Sequence, residues 1–194
     1  MGLLDEAPKF YPDIITSSRN ATAQEVNDFV GNREIFSIKD SYANLDLQPF
    51  GFKILFEAEW IYHAPVSKIE GMRQEWRVIK TDEELMKWIS ANGLENVIKS
   101  DILRRKDAEI FMREEKDKLS GFIANLGSGA VGVSNVFSKD DSYERLWPDI
   151  VQIVSNRFPG LPMVGYEHGE GLKAALTSGW ESAGPLRIWI KDNC

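Results

Sequence analysis

The densest group of proton-moving side chains is GYEHGEG, residues 165–171. Tyr166 is a phenol able to donate a proton, and Glu167 and His168 are able to accept one. Together they are the equipment of general acid–base catalysis. The glycines among them permit close approach by a ligand and equally serve as turn residues. His168 and Glu170 also read as ordinary helix-start residues, since glutamate is favourable near the positive end of a helix dipole. A second cluster, EAEWIYH over residues 57–63, sets Glu57 and Glu59 on one strand face opposite Trp60. An acidic, aromatic surface of this kind suits a cationic amine, and Glu75 beside Trp76 has the same character. Glu59, Trp60 and Glu75 are the substrate-binding candidates; each also reads as the solvent side of a strand.

A third pattern, GSGAVG at residues 127–132, fits G-x-G-x-x-G. Binding a pyrophosphate there needs a helix directly after the last glycine. The residues after Gly132 are instead VSNVF, β-branched and aromatic, with the composition of a strand. A strand also precedes the glycines, so Gly127-Ser128-Gly129 is expected to be a hairpin turn. Asn135 interrupts the second of these strands, where it either lines a cleft between parted strands or marks a bulge.

These groups must be carried by an alternation of strands and helices. Thr22-x-x-Glu25 and Thr81-x-x-Glu84 are capping boxes. The first opens a short helix stopped by Gly31; the second opens a helix whose buried stripe is Leu85, Trp88 and Ile89, with Gly93 as its C-terminal stop. ENVIKSDILRR is expected to be a further short helix. REIFSIKDS, GFKILFEAEWIYHAP and EWRVIK are strand candidates, as are DAEIFMRE, LSGFIANL and VGVSNVF around a polar turn and the glycines. Tyr143, Leu146, Trp147, Ile150, Val151, Val154 and Phe158 recur at three and four, which predicts an amphipathic helix with a kink or a late start at Pro148. MVGYE, GEGLKAALTSGW and PLRIWI predict strand, helix and strand. Residues 1–20 look like an irregular arm.

Bulk properties exclude several classes. The net charge of −7 and pI near 5.0 argue against a broad nucleic-acid surface, which needs clustered cations. LRRK, residues 103–106, is the densest basic spot and fits a solvated helix end. The single cysteine, Cys194, cannot form an internal disulfide, and no metal-ligand spacing exists. No signal peptide and no apolar run of membrane-spanning length is evident, so a soluble cytoplasmic protein with no membrane association is expected.

From about residue 72 to 191 the order of elements resembles the GNAT-type N-acetyltransferase superfamily. The best local marker is ALTSGWESAGPLRIW, residues 175–189, in which Gly179-Trp180 fills the place of the Gly-Phe on which the family's last helix closes. LSGFIANL resembles the strand that carries an Ile/Val-Gly pair. The resemblance implies an α+β fold: a central mixed, mostly antiparallel sheet flanked by helices. It divides the chain into an N-terminal extension, 1–70, packed on a GNAT-like domain, 71–194. It implies acyl-CoA-dependent N-acetyl transfer to a small-molecule or protein amine, with acetyl-CoA as co-substrate. Asn135, Val136, Phe137, Ser138 and Ser142 would line the coenzyme, Glu167 or His168 would be the base, and Tyr166 the acid.

The sequence departs from the family in two places. Gapless placement of its R/Q-x-x-G-x-G/A motif puts Asp141, Glu144 and Leu146 at the motif positions, and Ala175 stands where the family acid, a tyrosine, usually lies. These departures support an alternative: a GNAT-like domain that has lost coenzyme A binding and acts as a ligand-binding or interaction module. A third expectation is an unrelated α+β protein that forms a homodimer through residues 1–70.

Overall fold

The computed structural model describes residues 11–31, 33, 35–67, 75–95, 97–139 and 143–191. They form two compact units: Met1–Trp60 with Ala183–Cys194, and Ile61–Ser182. The boundary expected at residues 70 and 71 lies outside the described residues.

In the first unit Thr22 caps α1 (Ala23–Val30). Its hydroxyl accepts the Glu25 N–H, and the Glu25 carboxylate accepts the Thr22 N–H at 2.8 Å, so both halves of the capping box form. The strand order is β1-β2-β9-β3, from β1 (Ile14–Ile15), β2 (Ser37–Asp40), β3 (Phe52–His63) and β9 (Glu181–Lys191). β1 pairs parallel to β2, and β2 antiparallel to β9. The expected irregular arm therefore contains a strand, one too short for any alternation to announce it. Ile14, Val26, Val30, Ile38, Leu47 and Trp189 pack as this unit's core.

The second unit is ordered β8-β7-β6-β5-β4, with β4 (Trp76–Val78), β5 (Ala108–Glu115), β6 (Lys118–Gly127), β7 (Ala130–Ser138) and β8 (Met163–Glu167). β4 to β7 are antiparallel neighbours, and β7 and β8 are parallel. One face is covered by α2 (Asp82–Asn92), whose Leu85, Trp88 and Ile89 meet Ile110, Met112, Ile123 and Phe137. The other face carries α3 (Tyr143–Arg157) and α4 (Gly169–Thr177) over Phe111, Phe122, Val131, Val133 and Met163. A buried knot ties α3 to the sheet. The Asp149 carboxylate accepts from Arg113 Nη1 at 2.7 Å and from Trp76 Nε1 at 3.0 Å.

The Gly127-Ser128-Gly129 turn is the expected hairpin: Gly127 pairs with Ala130, and Ser128 and Gly129 have φ of 50° and 77°, the signature of a type I′ turn. Two local expectations change. α3 runs from Tyr143 with Pro148 inside it, so the proline does not delay the start. Part of ENVIKSDILRR forms a 3-10 turn, Ser100–Arg104, rather than an α-helix, because the segment is too short to propagate one.

Candidate functional site

The ladder between two central strands of the second unit is short, and the residues of interest stand where it ends. β7 and β8 are paired at Val131↔Met163 and Gly132↔Val164, and the ladder ends there. At Gly165 the two strands still approach closely. A Cβ on it would meet the Val133 carbonyl oxygen at 2.7 Å, so only glycine fits.

Beyond this point β7 carries one extra residue. Against β6, Gly121↔Phe137 and Ile123↔Ser134 are partners, two steps on one strand against three on the other. Asn135 takes up the difference in a left-handed conformation, φ 52°, which asparagine tolerates better than most side chains. The side-chain parity shifts accordingly. Val131 and Val133 face α3 and α4, Val136 faces them again after three residues, and Phe137 faces α2. Asn135 therefore marks a bulge, and in a bulge the extra residue is left without a partner in the ladder. Ser134, Asn135 and Val136 are all partly exposed in the middle of a sheet, consistent with an open wedge.

The other coenzyme candidates are placed differently. Phe137 is buried against α2, edge-on to Trp88 with centroids 5.3 Å apart. Ser138 is buried and shares a 2.9 Å hydrogen bond with Ser120. Their side chains belong to the interior. Ser142 lies outside the described residues.

The acid–base candidates divide by strand parity. Along β8, Met163, Gly165 and Glu167 point to the α3–α4 face, while Val164 and Tyr166 point to the other. Glu167 is half-buried at the strand's end, and its Oε2 accepts the His168 N–H at 3.3 Å. Burial pushes its carboxyl up to about 7, against which this hydrogen bond pulls only weakly. His168 is the exposed N-cap of α4, with no side-chain capping bond, and Tyr166 is exposed on the opposite face. Glu167 and Tyr166 are thus adjacent in sequence yet directed to different sides.

The amine-binding candidates are likewise split. Glu59 and Trp60 point to opposite faces of β3. The Trp60 indole N–H donates to the Ser41 carbonyl at 2.8 Å, and the Lys39 ammonium sits over its ring, 5.2 Å from the centroid. Burial lowers Lys39 to about 8. The protein thus supplies its own cation at Trp60. Glu75, in the second unit, is paired with Arg145 at 2.7 Å.

Gly171, Gly165 and His63 are not among the sequence candidates. His63 ends β3 edge-on to Trp180, centroids 5.5 Å apart, with Trp180 edge-on to Trp147 at 5.1 Å. The sequence signal for them is indirect: glycines bracketing a carboxylate imply that something approaches the backbone closely.

Among the described residues no helix is long and apolar enough to cross a membrane. No family model matches the chain, and no curated protein matches it. Solved structures do. A functionally unknown conserved protein from Staphylococcus epidermidis superposes with a TM-score of 0.63 at 8% identity, over 88% of this chain and 78% of that one. A GNAT-family protein from Novosphingobium aromaticivorans superposes with a TM-score of 0.55 at 9% identity, over 88% of this chain and 81% of that one. At such identities the likeness is one of fold. The chain has a mixed α+β, mostly antiparallel architecture with four α-helices among the described residues, matching that of the GNAT-family neighbour.

Proposed function

We propose that this protein is an acyl-CoA-dependent acyltransferase that moves an acyl group, acetyl in the simplest case, onto an amine. The observation that carries the reading is the pairing of an open strand wedge with a carboxyl poised near neutrality: β7 and β8 part at the Asn135 bulge, and Glu167 stands at the end of β8 with a pKa of about 7.

A wedge between parted strands suits the extended, thioester-bearing arm of an acyl-CoA, because backbone groups freed by the bulge can hydrogen-bond to an amide-containing chain. In the reaction the amine nitrogen attacks the thioester carbonyl, the C–S bond breaks, and the amine's proton passes to Glu167. A base with a pKa near the working pH is the most effective kind. The thiolate, with a pKa near that of a free thiol at about 8.5, can depart without a dedicated proton donor.

One observation favours a second reading. Ala175, at the place of the family acid, is fully buried in the core. A chain without that acid fits a GNAT-like module that binds a ligand and turns nothing over.

Calorimetric titration with acetyl-CoA, then measurement of thiol release with an amine panel, separates the two. Binding with turnover that falls about 10²–10⁴-fold in Glu167→Gln supports the transferase. Binding without turnover, or no binding at millimolar acetyl-CoA, overturns it in favour of the module.

A further inference from the structure

The first unit contains a cavity of about 620 Å³, lined by Thr16, Arg19, Ser41, Tyr42, Asn44, Trp60 and residues 183–185. Its size is that of a small-molecule site. We propose that this cavity binds a small carboxylate with a flat apolar body, such as an aromatic acid, independently of the acyl-transfer reading.

The composition of the wall sets the charge preference. Among the described residues Arg19 is the one charged residue of the wall, and no aspartate or glutamate lines it. Among the described residues the Arg19 guanidinium makes no ion pair; it rests over the Tyr42 ring, 5.6 Å from the centroid. A guanidinium without a carboxylate presents a planar fork of donors that matches a carboxylate's two oxygens. The Ser41 and Tyr42 hydroxyls add donors that no other described residue occupies. A cationic ligand would meet like charge and no acceptor carboxylate.

The flat body is set by the remaining walls. Five of the six tryptophans, Trp76, Trp88, Trp147, Trp180 and Trp189, are buried, and Trp60 lines this cavity. The bond from its indole N–H to the Ser41 carbonyl fixes the ring plane. Pro185 and Ala183 add apolar surface.

The frame is built to hold these groups still. Asp40, fully buried, accepts the Tyr42 N–H at 3.3 Å and the Leu45 N–H at 2.9 Å, which holds the turn carrying Ser41, Tyr42 and Asn44. Asn44 Nδ2 donates to the Arg19 carbonyl at 2.7 Å, and the Thr16 hydroxyl accepts the Ser41 N–H at 2.9 Å. The 16–19 and 41–44 segments and Trp60 are thereby tied to one another by side chains.

The test is calorimetric titration of the full chain with benzoate, benzyl alcohol and benzylamine, three probes of one shape and different charge. Benzoate is expected to bind, benzyl alcohol about tenfold or more weakly, and benzylamine not at all. Arg19→Gln, at an exposed position, should weaken benzoate by about tenfold and leave benzyl alcohol unchanged, with Arg19→Lys intermediate. Equal affinity for the three probes, preference for benzylamine, no benzoate binding at tens of millimolar, or an unchanged Arg19→Gln would each overturn the proposal. Since none of these measurements needs acyl-CoA, failure here and failure of acyl transfer are distinguishable.

Discussion

The carboxyl of Glu167 lies against Gly171 on the first turn of α4: a Cβ at position 171 would stand 2.7 Å from Glu167 Oε2. The missing side chain is what lets the carboxyl fold back onto the helix and lose water. Glu167 ends β8 and Gly171 lies in the first turn of α4, so the strand-to-helix junction brings the two together, and burial does the rest.

The first prediction concerns pH. The carboxyl holds its proton more tightly folded, at about 7, than at its ordinary value of 4.5. Its contribution to stability is therefore full below pH 4.5 and is lost as pH rises through 7. At about 1.4 kcal/mol per unit, the loss by pH 8 is roughly 1–3 kcal/mol. Urea melts at pH 4.5 and pH 8 should show Glu167→Gln gaining on the parent at the higher pH by that amount. A constant difference across the range would contradict the buried carboxyl. The same ionisation predicts acyl transfer that rises with pH through about 7.

Gly171→Ala tests the same contact. The added methyl pushes the flexible end of Glu167 outward into water, so the rise centred near pH 7 should move toward the ordinary carboxylate range. Replacing glycine by alanine within a helix contributes up to about 1 kcal/mol as well. The variant should be more stable than the parent at pH 8, as measured by thermal melting, and slower in acyl transfer at pH 6.5–7 if a base near neutrality matters.

Asp149→Ala should be among the most damaging single changes. Arg113 and Asp149 are each about 1% exposed and 2.7 Å apart, and Arg113 Nη2 already lacks a hydrogen-bond partner among the described residues. Removing the carboxylate strands a buried guanidinium and the Trp76 N–H at a cost of about 3–5 kcal/mol. The joint replacement Arg113→Met with Asp149→Leu should recover most of that loss. Denaturant midpoints of the single and double variants decide it.

At the β7 bulge, Asn135→Val forces a β-branched side chain into left-handed backbone and should cost about 1–2 kcal/mol, whereas Asn135→Gly should stay within about 0.5 kcal/mol of the parent. Urea melts read the difference. If acetyl-CoA uses the wedge, Asn135→Val should also weaken its binding while Asn135→Gly retains it.

What the amino-acid sequence determined by itself was local. Thr22 and Glu25, three residues apart, specify their own capping box, and Leu85, Trp88 and Ile89 specify the buried stripe of α2. The glycines around Ser128 specify a hairpin because glycine accepts the positive φ that Gly129 adopts. Each of these rests on neighbours within one turn of chain, so composition and spacing suffice. Tertiary structure alone decided the rest. The extra residue in β7 is defined only against β6, and the parting of β7 and β8 only by the pairing of segments some thirty residues apart. Tyr166, Glu167 and His168 are contiguous in sequence, yet strand parity sends Tyr166 and Glu167 to opposite faces, and desolvation selects Glu167. The cavity around Trp60 joins residues 16–19, 41–44 and 183–185, which no periodicity relates. Register, burial and enclosure are set by which distant segments meet, and a pattern read along the chain carries no information about that meeting.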